Sequence, residues 1–152
     1  MKDYAAERLY RDARVTSIYE GTTQMQVVAA IRYATSGFYS DMMNEYASQP
    51  IASKWELLRN ELVEAQGVYQ QALDSVLATN NQAMIDWHGR RLVEMAGYII
   101  MGHLLLQDAC ANETLFEKSA KTFIRWTVAQ VKQHASFIER SQVDDMADYR
   151  FS

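Results

Sequence analysis

Apolar side chains recur at steps of three and four along most of the chain, the spacing of one face of an α-helix. Asp3 to Arg14 alternates charge with Tyr4, Leu9 and Tyr10 and predicts a short helix with Asp3 as its N-cap, too short to hold alone in water. Val15 to Thr22 is β-branched and ends in Gly21, which favours an extended stretch closing in a turn. Thr23 and Gln26 stand at capping-box spacing, and behind them Val28, Ile31, Thr35, Phe38, Met42 and Glu45/Tyr46 form one stripe, with Gly37 a weak spot and Pro50 the end. Ser53 and Glu56 predict a second cap, leading Trp55, Leu58, Leu62, Ala65, Tyr69, Ala72 and Val76. The pattern breaks at Thr79-Asn80-Asn81 and resumes with Ile85, His88, Leu92, Met95, Ile99, Gly102, Leu106 and Ala109. From Met95 to Leu106 the chain is apolar nearly all round, which predicts the central helix of a bundle. Thr114 and Glu117 predict the cap of a last helix carrying Phe116, Ala120, Phe123, Thr127, Val131, Ala135 and Ile138.

The loops between these stripes are short, so neighbouring helices are expected antiparallel. The pattern predicts an all-α fold: an up-down four-helix bundle over residues 23–142, preceded by an irregular N-terminal arm with a short helix (1–22) and followed by an aperiodic tail (143–152). Composition agrees. Six Gly and one Pro in 152 residues supply too few turns for a β-sandwich, and 49% hydrophobic residues mark a folded domain. A net charge of −4 argues against nucleic-acid binding. No run reaches the about 18 apolar residues of a membrane span, and the N-terminus resembles neither a signal nor a transit peptide, so the cytoplasm is the expected compartment.

Several chemistries drop out on residue type. Di-iron bundles pair a Glu three residues before each His, but Ile85, Ile100 and Val131 precede His88, His103 and His134. A single Cys rules out a disulfide framework and a Cys-based zinc site, and Cys110 is expected to be a small buried hydrophobe. His103, inside the apolar run, is either a core ligand or proton carrier, or a structural histidine donating to a carbonyl or a neighbouring helix. Trp55, Trp87 and Trp126 fit core or shoulder positions better than a ligand pocket.

The specific signal lies near the start of the chain. Arg11-Asp12-Ala13-Arg14 leads into Ile18-Tyr19-Glu20-Gly21-Thr22, followed by Gln24 and Gln26. This segment resembles the C-terminal signature of the flavin-dependent acyl-CoA dehydrogenases, closely over about the first 30 residues. The remainder is similar in character to the helical extension found after this signature in some bacterial branches.

The reaction that this resemblance implies removes a proton from the α-carbon of an acyl-CoA thioester and a hydride from its β-carbon. An α-proton of this kind is weakly acidic. A carboxylate removes it only when desolvation raises its pKa toward neutrality, and when donors hold the thioester oxygen where enolate charge develops. Glu20 sits between apolar Ile18-Tyr19 and flexible Gly21, a setting that suits such a base. The resemblance implies Glu20 as the catalytic base, its own backbone N–H helping to bind the thioester carbonyl. It further implies Tyr19 and Gly21 as substrate-binding residues, and Thr22, Thr23 and Gln24 as contacts to FAD, aided by the positive end of the helix beginning there. Arg11, Asp12 and Arg14 are expected to hold the loop by ion pairs. The implied partners are an acyl-CoA of the kind used in fatty-acid β-oxidation, electron-transfer flavoprotein as acceptor, and a further copy in a homo-oligomer.

Family members are much longer, and Met1-Lys2-Asp3-Tyr4 stands where they continue from a Gly-Gly-x-Gly-Tyr turn. The chain is therefore expected to be the C-terminal piece of a larger enzyme, inactive and without tight FAD binding alone. The alternative is a stand-alone helical oligomerisation or interaction module that retains the motif as a relic. Tyr4, Leu9, Tyr10, Ile18 and Tyr19 are expected to lack cover within one copy of this chain, leaving the arm mobile or paired with another copy.

Overall fold

The structure, a computed structural model, describes residues 5–16, 23–142 and 144. They form helices α1 (Ala5–Thr16), α2 (Thr23–Thr35), α3 (Phe38–Ser48), α4 (Glu56–Ala78), α5 (Gln82–Ala111) and α6 (Glu113–Arg140), with a 3₁₀ turn at Ser53–Trp55 before α4. No strand occurs among the described residues, and the all-α fold is as expected. No helix among them is long and apolar enough to cross a membrane.

Helices α4, α5 and α6 pack on one another, and the α2–α3 pair lies chiefly against α5. The expected stripe on α4 is the buried one: Trp55, Leu58, Leu62, Ala65, Tyr69, Ala72 and Val76 all face inward. On α5 the expected residues from His88 to Ala109 are likewise buried, and α5 touches every other helix from α2 to α6. It is not covered all round, however. Met101 and Leu104 remain 47% and 41% exposed, because neighbouring helices enclose only part of its circumference.

The first bundle layer differs from expectation. It is two helices, not one. Gly37 adopts a left-handed conformation (φ 85°), its N–H donates to the Ala34 carbonyl at 3.2 Å, and the hydroxyls of Thr35 and Ser36 donate back to the carbonyls of Arg32 and Tyr33. That is a helix C-terminus closed at a glycine. The elbow changes the helical phase, so Val27, Ile31, Ala34 and Met43 form the buried face, while Val28 and Phe38 point outward. Val15 and Thr16 also depart from the extended reading, since α1 runs through both. Arg8 to Val15 of α1 are exposed, including Leu9, Tyr10 and Val15, and Arg8 pairs with Asp12 at 3.9 Å.

Two caps also differ. Ser53 makes no side-chain cap, because the 3₁₀ turn places Trp55 at the N-cap of α4. Asn112, not Thr114, caps α6: its Oδ1 accepts from the Leu115 N–H at 3.2 Å, while its own N–H closes α5 on the Asp108 carbonyl at 2.8 Å. Asn81 opens α5 similarly, accepting from the Ala83 N–H at 2.9 Å. Each asparagine satisfies a helix-end donor that would otherwise be orphaned.

Helices α4 and α5 approach closely at Gly102. A Cβ built on Gly102 would lie 2.6 Å from Cδ2 of Leu62, a fully buried side chain. A Cβ on Gly97, five residues earlier on α5, would meet nothing within 4 Å. The two glycines should therefore respond oppositely. Gly97→Ala is expected to stabilise the fold by about 0.5–1 kcal/mol through helix propensity. Gly102→Val should lower stability by about 1–3 kcal/mol through overpacking against Leu62. Urea denaturation of both variants checks this, and shifts of the same sign would refute the packing assignment.

Candidate functional site

Tyr19, Glu20, Gly21 and Thr22 lie outside the described residues. Thr23 and Gln24 are adjacent in the first turn of α2, so two of the expected cofactor contacts share a helix N-terminus. The first N–H groups of any helix lack intrahelical acceptors and carry the positive end of its dipole. No acidic residue stands in the first turn of α2 to neutralise that end.

The scaffold behind this turn is firm. Val27, Ile31 and Ala34 are buried, and a Cβ on Gly89 of α5 would lie 3.6–3.7 Å from carbons of Ile31 and Val27, ordinary contact distance. Residue 20 stands three residues before α2, and this packed face fixes the helix from which the motif departs. Thr23 and Gln24 thus stand at an anchored helix start that suits an anionic or hydrogen-bond-accepting group.

The buried histidines were not assigned chemistry from their spacing. His88 is fully buried, and neither ring nitrogen has a hydrogen-bond partner. It meets the edge of Phe137, over which the Arg91 guanidinium sits at 3.8 Å from the ring centroid. Burial first, and Arg91 second, lower the His88 pKa to about 4. His103 is 2% exposed and stacks against Tyr46 with centroids 6.3 Å apart. Its Nε2 has no partner, and burial lowers its pKa to about 4. A structural hydrogen bond from that nitrogen, one of the expected readings, is not what the structure shows. His134 differs: Glu94 lies 3.5 Å away and partly offsets the lowering effect of burial. The available signal for His88 and His103 is their position in the apolar stretch of α5, where a polar residue has few partners.

Cys110 is exposed rather than buried, since it lies on the outer side of the last turn of α5, next to the fully buried Ala109. Partial desolvation pushes its thiol above the ordinary range, with Lys54 acting in the opposite sense. Trp55 is core, whereas Trp126 is a shoulder residue resting on Tyr98 and Phe123.

Both histidines take up protons less readily in the fold than in the open chain, where histidine titrates near 6.5. The unfolded chain therefore binds more protons as pH falls from 6.5 toward about 4. Their contribution to stability is present above pH 6.5 and is lost through that window, by at most about 3 kcal/mol per histidine. His88→Leu should shrink the stability difference between about pH 7 and about pH 4.5 by roughly 1–3 kcal/mol, measured by urea denaturation. An unchanged pH dependence would mean that His88 is protonated within the fold.

Residues 35–146 match the family model described as Acyl-CoA dehydrogenase C terminal, and residues 1–33 match Acyl-CoA dehydrogenase, C-terminal domain. The junction between the two falls at the end of α2, beside the Gly37 elbow. Among curated proteins, an acyl-CoA dehydrogenase of Bacillus subtilis (strain 168) is 54% identical over 37 residues, which cover 24% of this chain and 10% of that protein. An acryloyl-CoA reductase (NADH) of Anaerotignum propionicum is 56% identical over 32 residues, covering 21% of this chain and 8% of that protein. The match thus spans about a tenth of these relatives' length. A solved acyl-CoA dehydrogenase family protein from Porphyromonas gingivalis superimposes with a TM-score of 0.70 and 26% identity, covering 75% of this chain and 98% of that one.

Proposed function

Because the chain belongs to the acyl-CoA dehydrogenase C-terminal family, we propose that it is the C-terminal piece of an FAD-dependent acyl-CoA dehydrogenase, with Glu20 as the α-proton base. The observation that carries this reading is Tyr19-Glu20-Gly21-Thr22 standing directly before a helix whose Val27 and Ile31 are buried on the bundle. In this reading residues 1–22 are the motif arm, 23–142 the helical unit that anchors it, and 143–152 a tail.

The donor set fits a flavin in kind. Thr22, Thr23 and Gln24 offer two hydroxyls and an amide at a helix start without an acid in its first turn. They would hold FAD by hydrogen bonds. When bound, FAD supplies a hydride acceptor for the β-carbon. Glu20 takes the α-proton on its carboxylate, and its backbone N–H steadies the thioester oxygen as negative charge develops there. Tyr19 lines the acyl channel, and Gly21 leaves room for the thioester to approach the backbone.

Alone, the chain supplies a base and one edge of a flavin site, so neither turnover nor tight FAD binding is expected of it. Leu9, Tyr10 and Val15, exposed on α1, are surfaces for the remainder of the parent or for a second copy. A second reading, a stand-alone helical module with a relic motif, draws support from the Porphyromonas chain, 98% of which this chain covers.

One variant separates the two readings. In the longer protein, Glu20→Gln should cut the rate of flavin bleaching by acyl-CoA about 10²–10⁴-fold while the bound flavin spectrum is retained. Bleaching at the unmodified rate would refute the base assignment and favour the relic.

A further inference from the structure

Helix α2 is apolar on two sides but covered on one. Of its 13 residues only Arg32 carries a charge, and apolar side chains stand on opposite faces. A helix with that pattern is ordinarily enclosed all round. Here Val27, Ile31 and Ala34 are sealed, the first two at contact distance from the α5 backbone at Gly89. At 3.6 residues per turn, Met25, Val28 and Tyr33 fall on the side away from them, and all three are exposed. The same surface continues past the Gly37 elbow. The exposed ring of Phe38 lies 5.5 Å from that of Tyr33, centroid to centroid, and Tyr39 lies 6.0 Å from Phe38. Large apolar side chains gathered on one open face mark a surface that meets another body.

Two findings point to that body. The two family matches divide the chain at the end of α2: residues 1–33 fall in one and residues 35–146 in the other. Helix α2 therefore belongs by sequence to the unit that carries the motif, although its buried side packs on the unit that follows. The second finding is length. The matched segments make up 10% and 8% of the two curated relatives, so about nine-tenths of each lies outside the match.

We propose that α2 is shared between two bodies: α5 holds its inner side, and its outer side, Met25, Val28 and Tyr33 with Phe38, docks on the polypeptide preceding the motif in the longer acyl-CoA dehydrogenase. This rests on the reading given under the proposed function. The surface that receives α2 is apolar and low in charge, since the face offers it no charged side chain but Arg32. The proposal also gives the later helices a task. By gripping α2 on its inner side, the bundle fixes the helix that follows residues 19–22 while the catalytic body closes on the other side.

Methionine oxidation reads this face directly, because it follows exposure of the thioether. Met25 is 63% exposed and Met101, on α5, is 47% exposed. In the 152-residue chain, dilute hydrogen peroxide should therefore oxidise Met25 at least as fast as Met101, followed by peptide mass spectrometry. In the longer protein, oxidation of Met25 should slow about fivefold or more, with N-acetylmethionine in the same tube as the dose standard. A Met25 rate within about twofold of that in the shorter chain overturns the proposal. It is also overturned if Met25 is already protected in the 152-residue chain and loses that protection on about tenfold dilution, since a second copy then covers the face. Flavin bleaching by acyl-CoA is measured on the same longer protein. Bleaching with Met25 unprotected sinks the docking and leaves the dehydrogenase reading standing. Protection of Met25 without bleaching upholds the docking and sinks the dehydrogenase reading.

Discussion

The close approach of α4 and α5 at Gly102 and Leu62 is the constraint on which the rest of the molecule depends. With no Cβ at position 102, the Leu62 side chain lies directly on the α5 backbone, and both residues are sealed from solvent. Small residues continue the theme, with Ala65 on α4, Ala96 and Ala109 on α5, and Ala120 on α6 all buried. Helices that approach this closely leave α5 enclosed on three sides, by α4, α6 and the α2–α3 pair. Everything α5 carries on those sides is then forced into a dry environment, histidines included. The same enclosure gives α2 a firm surface, and α2 is the helix that follows the motif in the chain.

How much of this was legible in the sequence depended on whether one helical phase ran unbroken. From Trp55 to Val76 the stripe is continuous and every residue of it is buried, with Leu73 a further buried side chain that it did not include. On α5 it holds from His88 to Ala109. Before Pro50 it fails, because a three-four pattern can be extended through Gly37 on paper while the chain cannot remain one straight helix there. The left-handed turn shifts the phase, and only Ile31 of the expected stripe is fully buried. Caps misled for a related reason. Ser53 and Thr114 have the right spacing to a following glutamate, yet a 3₁₀ turn intervenes at the first, and Asn112 is already placed to serve two helix ends at the second. Exposure of Met101 and Leu104 shows a further limit: composition around a helix says how apolar it is, not how many neighbours it has.

The motif was legible in a different way. Its order and spacing of polar and small residues point to a reaction class without any knowledge of packing, and the family match places it within acyl-CoA dehydrogenase C-terminal sequence. Yet the chemistry of a proton-abstracting carboxylate is decided by what surrounds it. A glutamate titrates in its ordinary range until apolar walls and a nearby acceptor raise its basicity, and such walls come from elements beyond a single loop. The sequence therefore offers a candidate base, Glu20, more readily than it describes a site around it. The bundle contributes position. Burial of Val27, Ile31 and Ala34 determines where α2 begins and hence the point from which residue 20 must reach.

The two buried histidines show what the enclosure of α5 costs. His88, beside the motif end of α5, is surrounded by packing groups: Phe137 meets its ring edge, and Arg91 lies over Phe137. Its unpartnered nitrogens are a cost that this packing offsets. His103 is 2% exposed, and its Nε2 is sealed from solvent without a hydrogen-bond partner. An unmet hydrogen bond at a nitrogen sealed from solvent can only be tolerated, at a cost of about 1–3 kcal/mol. Both histidines thus carry a cost that follows from enclosing a polar ring within the apolar stretch of one helix, and the packing of α5 against its neighbours offsets it.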